Sequence, residues 1–253
     1  MSISSDFSSQ ESNGASPFNG LRVAVTGGTS GLGLALVREL LSRGARVAFV
    51  ARTRERVEQV ARENRGAHGI AGDVAAKDDI YPVALQVTGE LGGLDVLVNN
   101  ASDLGPVPLA MLSDTECEDL ERAFATNVLG PFRLTKALMG ALAASAREGR
   151  GAVVLNISSD AAVNAYPGWG AYGASKAALH QLSRIWAEEH AADGVRILSL
   201  DPGDMDTPMH AAAIPDADLS TLKAPAQAAR ELADAIAAAL PVQSVQELEG
   251  ANA

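Results

Sequence analysis

From residue 21 onward, short apolar runs alternate with longer segments in which apolar residues recur every three to four positions. The runs at 21–26, 46–50, 68–71, 95–99, 152–157 and 195–200 predict six buried strands. The periodic segments at 34–42, 55–64, 78–91, 114–146, 172–192 and 226–240 predict helices between and after them. Strands that alternate with helices imply a parallel sheet covered on both faces, joined by right-handed crossovers. The expected fold class is therefore α/β, a Rossmann-type doubly wound sheet in three layers. Residues 242–248 lack period-two alternation, so a six-stranded sheet with no regular seventh strand is expected.

The flanks differ from this region. Residues 1–19 are rich in Ser, Asn and Gln without an apolar core, which predicts a disordered tail and neither a signal nor a transit peptide. Residues 241–253 form a polar C-terminal tail. No repeat or linker divides residues 20–240, which are expected to form one dinucleotide-binding and catalytic domain.

Composition narrows the function classes. The chain has 253 residues, 47% hydrophobic and 20% charged, a globular balance long enough for a sizeable core. A net charge of −11 argues against sequence-independent nucleic-acid binding, which needs basic surface. No apolar run approaches the ~18 residues of a membrane span. Cys117 is the only cysteine, so no internal disulfide can form and a cytoplasmic location is expected. His68, His180, His190 and His210 show no ligand spacing, and no metal is expected.

Two stretches carry candidate chemistry. After the first strand come Gly27, Gly28, Thr29, Ser30, Gly31, Leu32 and Gly33, then a helix. A glycine turn in that context lets backbone approach a pyrophosphate, with the helix N-terminus offering free N–H groups. An acid near the end of the second strand would bond the adenosine ribose hydroxyls. Ala51 stands there instead, followed by Arg52, whose guanidinium suits a 2′-phosphate. NADP(H) is therefore favoured, with NAD(H) still open. The second stretch is Tyr172-Gly173-Ala174-Ser175-Lys176. Residues four apart share a helix face. A cation beside a phenol favours phenolate and would bring the Tyr172 pKa down toward the working pH. Alone, such a pair also fits an ordinary helix surface.

Together these residues carry a resemblance. Thr26 to Gly33, Asn99-Asn-Ala-Ser102, Asn127, Ser159, Tyr172-x-x-x-Lys176 and Pro202-Gly203 stand in the order found in the short-chain dehydrogenase/reductase family, in its simple single-domain branch. The resemblance covers residues 21–207, and Ser102 stands where Gly is usual. It implies hydride transfer between a nicotinamide and a carbonyl or alcohol substrate. Tyr172 would be the general acid/base, Ser159 would bond the substrate oxygen, and Ser158 would do so only if the chain slipped by one. Lys176 would bond the nicotinamide ribose, and Asn127 would hold a water linking Lys176 to solvent. Asp73 and Val74 would flank the adenine, Asn100, Ala101 and Ser102 would lie along the cofactor, and Met205 and Thr207 would meet the carboxamide near Pro202 and Gly203. Tyr166, Pro167 and Trp169 suggest an apolar mouth with the Met-rich segment 204–210. A catalytically silent nucleotide-binding regulator is the alternative, which the complete Ser, Tyr, Lys and Asn set disfavours. Family assembly implies a homodimer through helices 114–146 and 172–192, with Phe124, Val128, Phe132, Leu182 and Trp186 as apolar candidates. A homotetramer, which in relatives also uses a seventh strand, stays open.

Overall fold

The computed structural model of the protein describes residues 16–241, so the judgement on a seventh strand at 242–248 and most of both tails lie outside the described residues. Six parallel strands, β1 (Arg22–Thr26), β2 (Arg46–Ala51), β3 (Ala67–Ala71), β4 (Val96–Asn99), β5 (Ala152–Ile157) and β6 (Val195–Leu200), form one sheet in the order β3-β2-β1-β4-β5-β6. The order reverses between β1 and β4, the switch point at which such sheets bind ligands. The near-continuous apolar runs are explained by burial on both faces. One face packs on α1 (Gly31–Ser42), α2 (Arg54–Glu63) and α8 (Pro225–Ala239), through Leu36, Leu40, Val60, Leu232 and Ile236. The other packs on α3 (Ile80–Leu91) and α5 (Gly130–Arg147), through Val83, Val87, Leu134, Leu138 and Leu142.

Three sequence expectations need correction. The helix expected at 114–146 is broken into α4 (Cys117–Phe124), a π-helical turn (Ala125–Leu129) and α5. Pro131 has no N–H to give the carbonyl four residues back, that of Asn127, so α-helical pairing must fail there. The helix expected at 172–192 is α6 (Gly170–Glu189), which starts one half-turn earlier and places Tyr172 in its first turn. Phe18, left in the tail by composition, is fully buried in the first core, with Arg43 5.5 Å from its ring centre.

Polar side chains fasten the layers. Asn99 and Asn156 are paired across β4 and β5, and Asn99 Nδ2 donates to Asn156 Oδ1 at 2.8 Å. Asn156 Nδ2 in turn donates to Ser183 Oγ of α6 at 2.8 Å. At the amino edge of the sheet the buried Asp95 accepts from Arg22 Nη2 at 2.6 Å, Arg150 Nη2 at 2.9 Å and Ser145 Oγ at 2.5 Å. Burial alone would raise its carboxyl, but the bonds from Arg150, Arg22 and Ser145 hold it at about 2. Among the described residues no helix is long and apolar enough to cross a membrane. The short helix α7 (Pro208–Ala213), capped by Thr207 Oγ1, stands over the carboxyl edge of the sheet, where the strand ends open into a cavity.

Candidate active site

That cavity has a volume of about 590 Å³ and runs from the turn after β1 to the start of α6. Gly27 and Gly31 have φ of +70° and +48°, conformations that L side chains rarely adopt. A Cβ on Gly27 would lie 2.9 Å from Asn100 Nδ2, and one on Gly33 would strike the Gly27 carbonyl. The turn is therefore pressed against both α1 and β4. Thr26 completes the clamp: its Oγ1 accepts from the N–H groups of Asn100 and Ala101, both at 3.0 Å. Ser30 opens α1 with no side-chain cap, so the first N–H groups of the helix face the cavity uncovered. Uncapped donors at the positive end of a helix dipole fit an anion such as pyrophosphate.

All but one of the candidate site residues line this cavity. The turn residues Gly27, Thr29, Ser30, Gly31, Leu32 and Gly33 form one end. Arg52, Asp73 and Val74 border it from the ends of β2 and β3, and Arg52 forms no ion pair with any described residue. Asp73 Oδ1 accepts from the Ala75 N–H at 2.9 Å, which shapes the turn beside Val74. Asn100, Ala101 and Ser102 lie along the middle, and Pro202, Gly203, Met205 and Thr207 close the far side. Lys223, which the sequence did not single out, donates to the Pro202 carbonyl at 3.0 Å and pins that turn. The volume, the glycine cradle and the open helix N-terminus together fit a dinucleotide.

Ser159, Tyr172 and Lys176 meet at the opposite end. Tyr172 is 9% exposed and Lys176 2%, and Trp169 packs edge-on against the Tyr172 ring at 5.7 Å between centres. The Lys176 Nζ donates to the Ile157 carbonyl at 2.8 Å. Ser159 caps the turn that follows β5, accepting from the Ala161 N–H at 3.2 Å and donating to Asp160 Oδ1 at 3.1 Å. Burial pushes the Tyr172 phenol up to about 12, with the polar Ser159 and Ser102 hydroxyls opposing the rise. Burial likewise pushes Lys176 down to about 8, with Asp201 opposing. The expected lowering of the phenol by Lys176 is thus outweighed here. Both groups are nearly dry, so each charged form loses its hydration, and an ammonium that itself gives up its charge near 8 lends the phenolate little.

Asn127 is the exception: it is fully buried and does not border the cavity. Its Nδ2 donates to the Asp103 carbonyl at 2.7 Å and to Ser175 Oγ at 2.8 Å, while its Oδ1 accepts from the Asp103 N–H at 2.8 Å and from Ser102 Oγ at 3.1 Å. With both donors and both lone pairs committed, the side chain has no capacity left for a water.

The substrate end holds the expected mouth segment 204–210, through Asp204, Met209 and His210, and further residues that sequence reasoning missed, Asp160, Asp201 and Ile214. Asp160, Asp201 and Asp204 line it, and Asp160 Oδ2 accepts from the Tyr166 hydroxyl at 2.7 Å. Met209, His210 and Ile214 come from α7 and the turn after it, while Pro167 stays off the wall. A Tyr six residues past an acid in a loop carries no periodic signal, so this pairing was not visible in the sequence.

Comparison with known proteins agrees with this geometry. The family model for short chain dehydrogenase matches residues 22–218. The chain is 36% identical over 194 residues to the 2-(R)-hydroxypropyl-CoM dehydrogenase of Xanthobacter autotrophicus, covering 74% of this chain and 76% of that one. A 3-ketoacyl-(acyl-carrier-protein) reductase from Brucella melitensis, solved with NADH, superposes with a TM-score of 0.79 at 26% identity, covering 85% of this chain and 90% of that one. A short chain dehydrogenase from Shigella flexneri, solved with NADP, gives 0.77 at 26% identity, covering 84% and 89%.

Proposed function

The chain belongs to the short-chain dehydrogenase family, and on that premise we propose that it is an NADP(H)-dependent carbonyl reductase, or alcohol dehydrogenase in reverse, with Tyr172 as the proton donor. The observation that carries this reading is the single cavity that joins the glycine turn to Ser159, Tyr172 and Lys176. A bound nicotinamide supplies the hydride. Everything else falls to side chains of the protein. A phenol held up at about 12 stays protonated at neutral pH and is ready to give its proton to a carbonyl oxygen that gains negative charge. The Ser159 hydroxyl borders the same space and supplies a second donor for that oxygen. Lys176, anchored on Ile157, is placed to hold a ribose hydroxyl. Asn127 serves by its bonds to Asp103 and Ser175, and any water it holds would sit on its backbone carbonyl.

Arg52 and the missing acid at Ala51 support NADP(H) over NAD(H). The charge at the other end supports an uncharged substrate. Three aspartates line that end, and Lys176 is its only Lys or Arg among the described residues. A carboxylate or sulfonate on the substrate would meet repulsion there without a partner. Trp169, Met209 and Ile214 offer apolar contact instead.

Assembly is read from an apolar face that α4, α5 and α6 leave uncovered. Leu129, Phe132 and Ile185 are 41%, 37% and 42% exposed, and Phe132 stacks on Trp186 at 5.4 Å. Val128, by contrast, is buried and unavailable for an interface. An isologous pairing of this face gives a homodimer. The lone cysteine supports a cytoplasmic location, and one domain over residues 20–240 fits the shared cores. Turnover of uncharged ketones with NADPH, set against 2-keto acids and against Tyr172→Phe, tests the reading.

A further inference from the structure

We infer that the substrate carries a hydroxyl on the carbon beside its carbonyl, and that the Asp160 carboxylate recognises that hydroxyl. The inference rests on the reading of Ser159 as a donor to the substrate oxygen. It narrows that reading to one class of substrate, the α-hydroxy ketones and the vicinal diols they become on reduction.

A serine hydroxyl has one hydrogen to give and two lone pairs. Ser159 Oγ accepts from the Ala161 N–H at 3.2 Å and gives its hydrogen to Asp160 Oδ1 at 3.1 Å. The carboxylate is held from its other side, because Tyr166 reaches back and donates its hydroxyl to Oδ2 at 2.7 Å. The turn that carries Asp160 is also fixed on α6. Ala161 packs in one cluster with Leu104 and Tyr172, and a Cβ on Gly173 would stand only 3.0 Å from the Ala161 carbonyl oxygen. Asp160 thus lines the cavity next to Ser159 on a turn packed against Tyr172, with Oδ1 kept at the Ser159 hydroxyl.

Use of Ser159 as a donor disturbs this arrangement. A ketone oxygen that binds at Ser159 takes the hydrogen away from Asp160 Oδ1, and a bond to a carboxylate contributes more than one to a neutral carbonyl. A plain ketone gives Oδ1 nothing in return. A ketone with a hydroxyl on the adjacent carbon does: its carbonyl oxygen accepts from Ser159 Oγ while its O–H donates to Oδ1. Oγ and Oδ1 stand 3.1 Å apart, a spacing that suits two oxygens on neighbouring carbons. Such a substrate engages the two atoms side by side, one as donor and one as acceptor, and Asp160 keeps its full set of donors. The hydroxyl also brings no charge, so it enters an end lined by Asp160, Asp201 and Asp204 without the repulsion that a carboxylate meets there. Asp160 is exposed, and water replaces part of the lost bond when a plain ketone binds. The discrimination therefore belongs at the lower end of what a bond to a charged group contributes.

The test compares 3-hydroxy-2-butanone with 2-butanone, reduced by the full chain with NADPH and, in parallel, with NADH. The parent should favour the hydroxy ketone roughly tenfold in kcat/KM. Asp160→Ala should bring that ratio to about one, and Asp160→Asn, which keeps a neutral acceptor, should give an intermediate ratio. A ratio below about threefold in the parent, turnover of neither ketone, or the same ratio in parent and Asp160→Ala would overturn the proposal. Unimpaired turnover of 2-butanone in Ser159→Ala would instead overturn the reading of Ser159 on which it rests, so the two failures are distinguishable.

Discussion

The Lys176 Nζ lies 5.5 Å from the centre of the Tyr172 ring and donates to the Ile157 carbonyl at 2.8 Å, with both side chains buried. A buried ammonium leaves a trace in the pH dependence of stability. Burial lowers the folded-state pKa of Lys176 from 10.5 to about 8. Between those values the unfolded chain binds more protons than the folded one, so stability rises with pH. From pH 8 to pH 10 the rise is about 2 kcal/mol. Tyr172 opposes it only above pH 10, since its folded-state value is raised from 10 to about 12. Urea denaturation at pH 8, 9 and 10 should show the rise in the parent and not in Lys176→Met. Parallel curves for the two proteins would refute the assignment.

The second prediction concerns the adenosine end. Arg52 borders the cavity without an acidic partner among the described residues, and Ala51 beside it cannot compete for ribose hydroxyls. NADPH should bind more tightly than NADH in fluorescence titration. Arg52→Ala should weaken NADPH roughly ten- to a hundredfold, the worth of a charge-assisted bond to phosphate, and leave NADH within about twofold. Tighter binding of NADH to the parent would reverse the cofactor preference proposed here.

A third prediction follows from the exposed Leu129, Phe132 and Ile185. Light scattering at low micromolar concentration should report a dimer, and Phe132→Glu combined with Leu129→Glu should give a monomer, because two buried like charges would face their symmetry mates. A parent that is monomeric, or a stable tetramer, would count against this face as the sole interface.

Much of this site could be read in advance because its parts obey local rules. The glycine turn announces itself by positive φ requirements, and Tyr172 and Lys176 by helical spacing. Ser159, Asn100 and Pro202 sit where each strand ends, which the apolar runs locate to within a residue. What escaped depends on three-dimensional neighbours. The break in the long helix needed Pro131 to be weighed against a strong apolar period. The role of Asn127 could not be judged without Asp103 and Ser175, which reach it from the β4 loop and from α6. The direction of the Tyr172 shift turned on desolvation, a quantity that spacing does not carry, and so the proximity of Lys176 was given too much weight. Asp160, Asp201 and Asp204 lie far apart or in loops in sequence and meet only at the mouth of the cavity.

The central claim is that Tyr172 delivers the proton while the rest of the cavity binds the cofactor. It is tested most directly by Tyr172→Phe, measured both for NADPH-dependent reduction of an uncharged ketone and for NADPH affinity. Loss of the phenol O–H removes the proton donor but neither the glycine turn, Arg52 nor Lys176. The account predicts a fall in kcat of at least about a hundredfold, within the range of general acid catalysis, with NADPH affinity within about threefold of the parent. Near-parental turnover in Tyr172→Phe would contradict it.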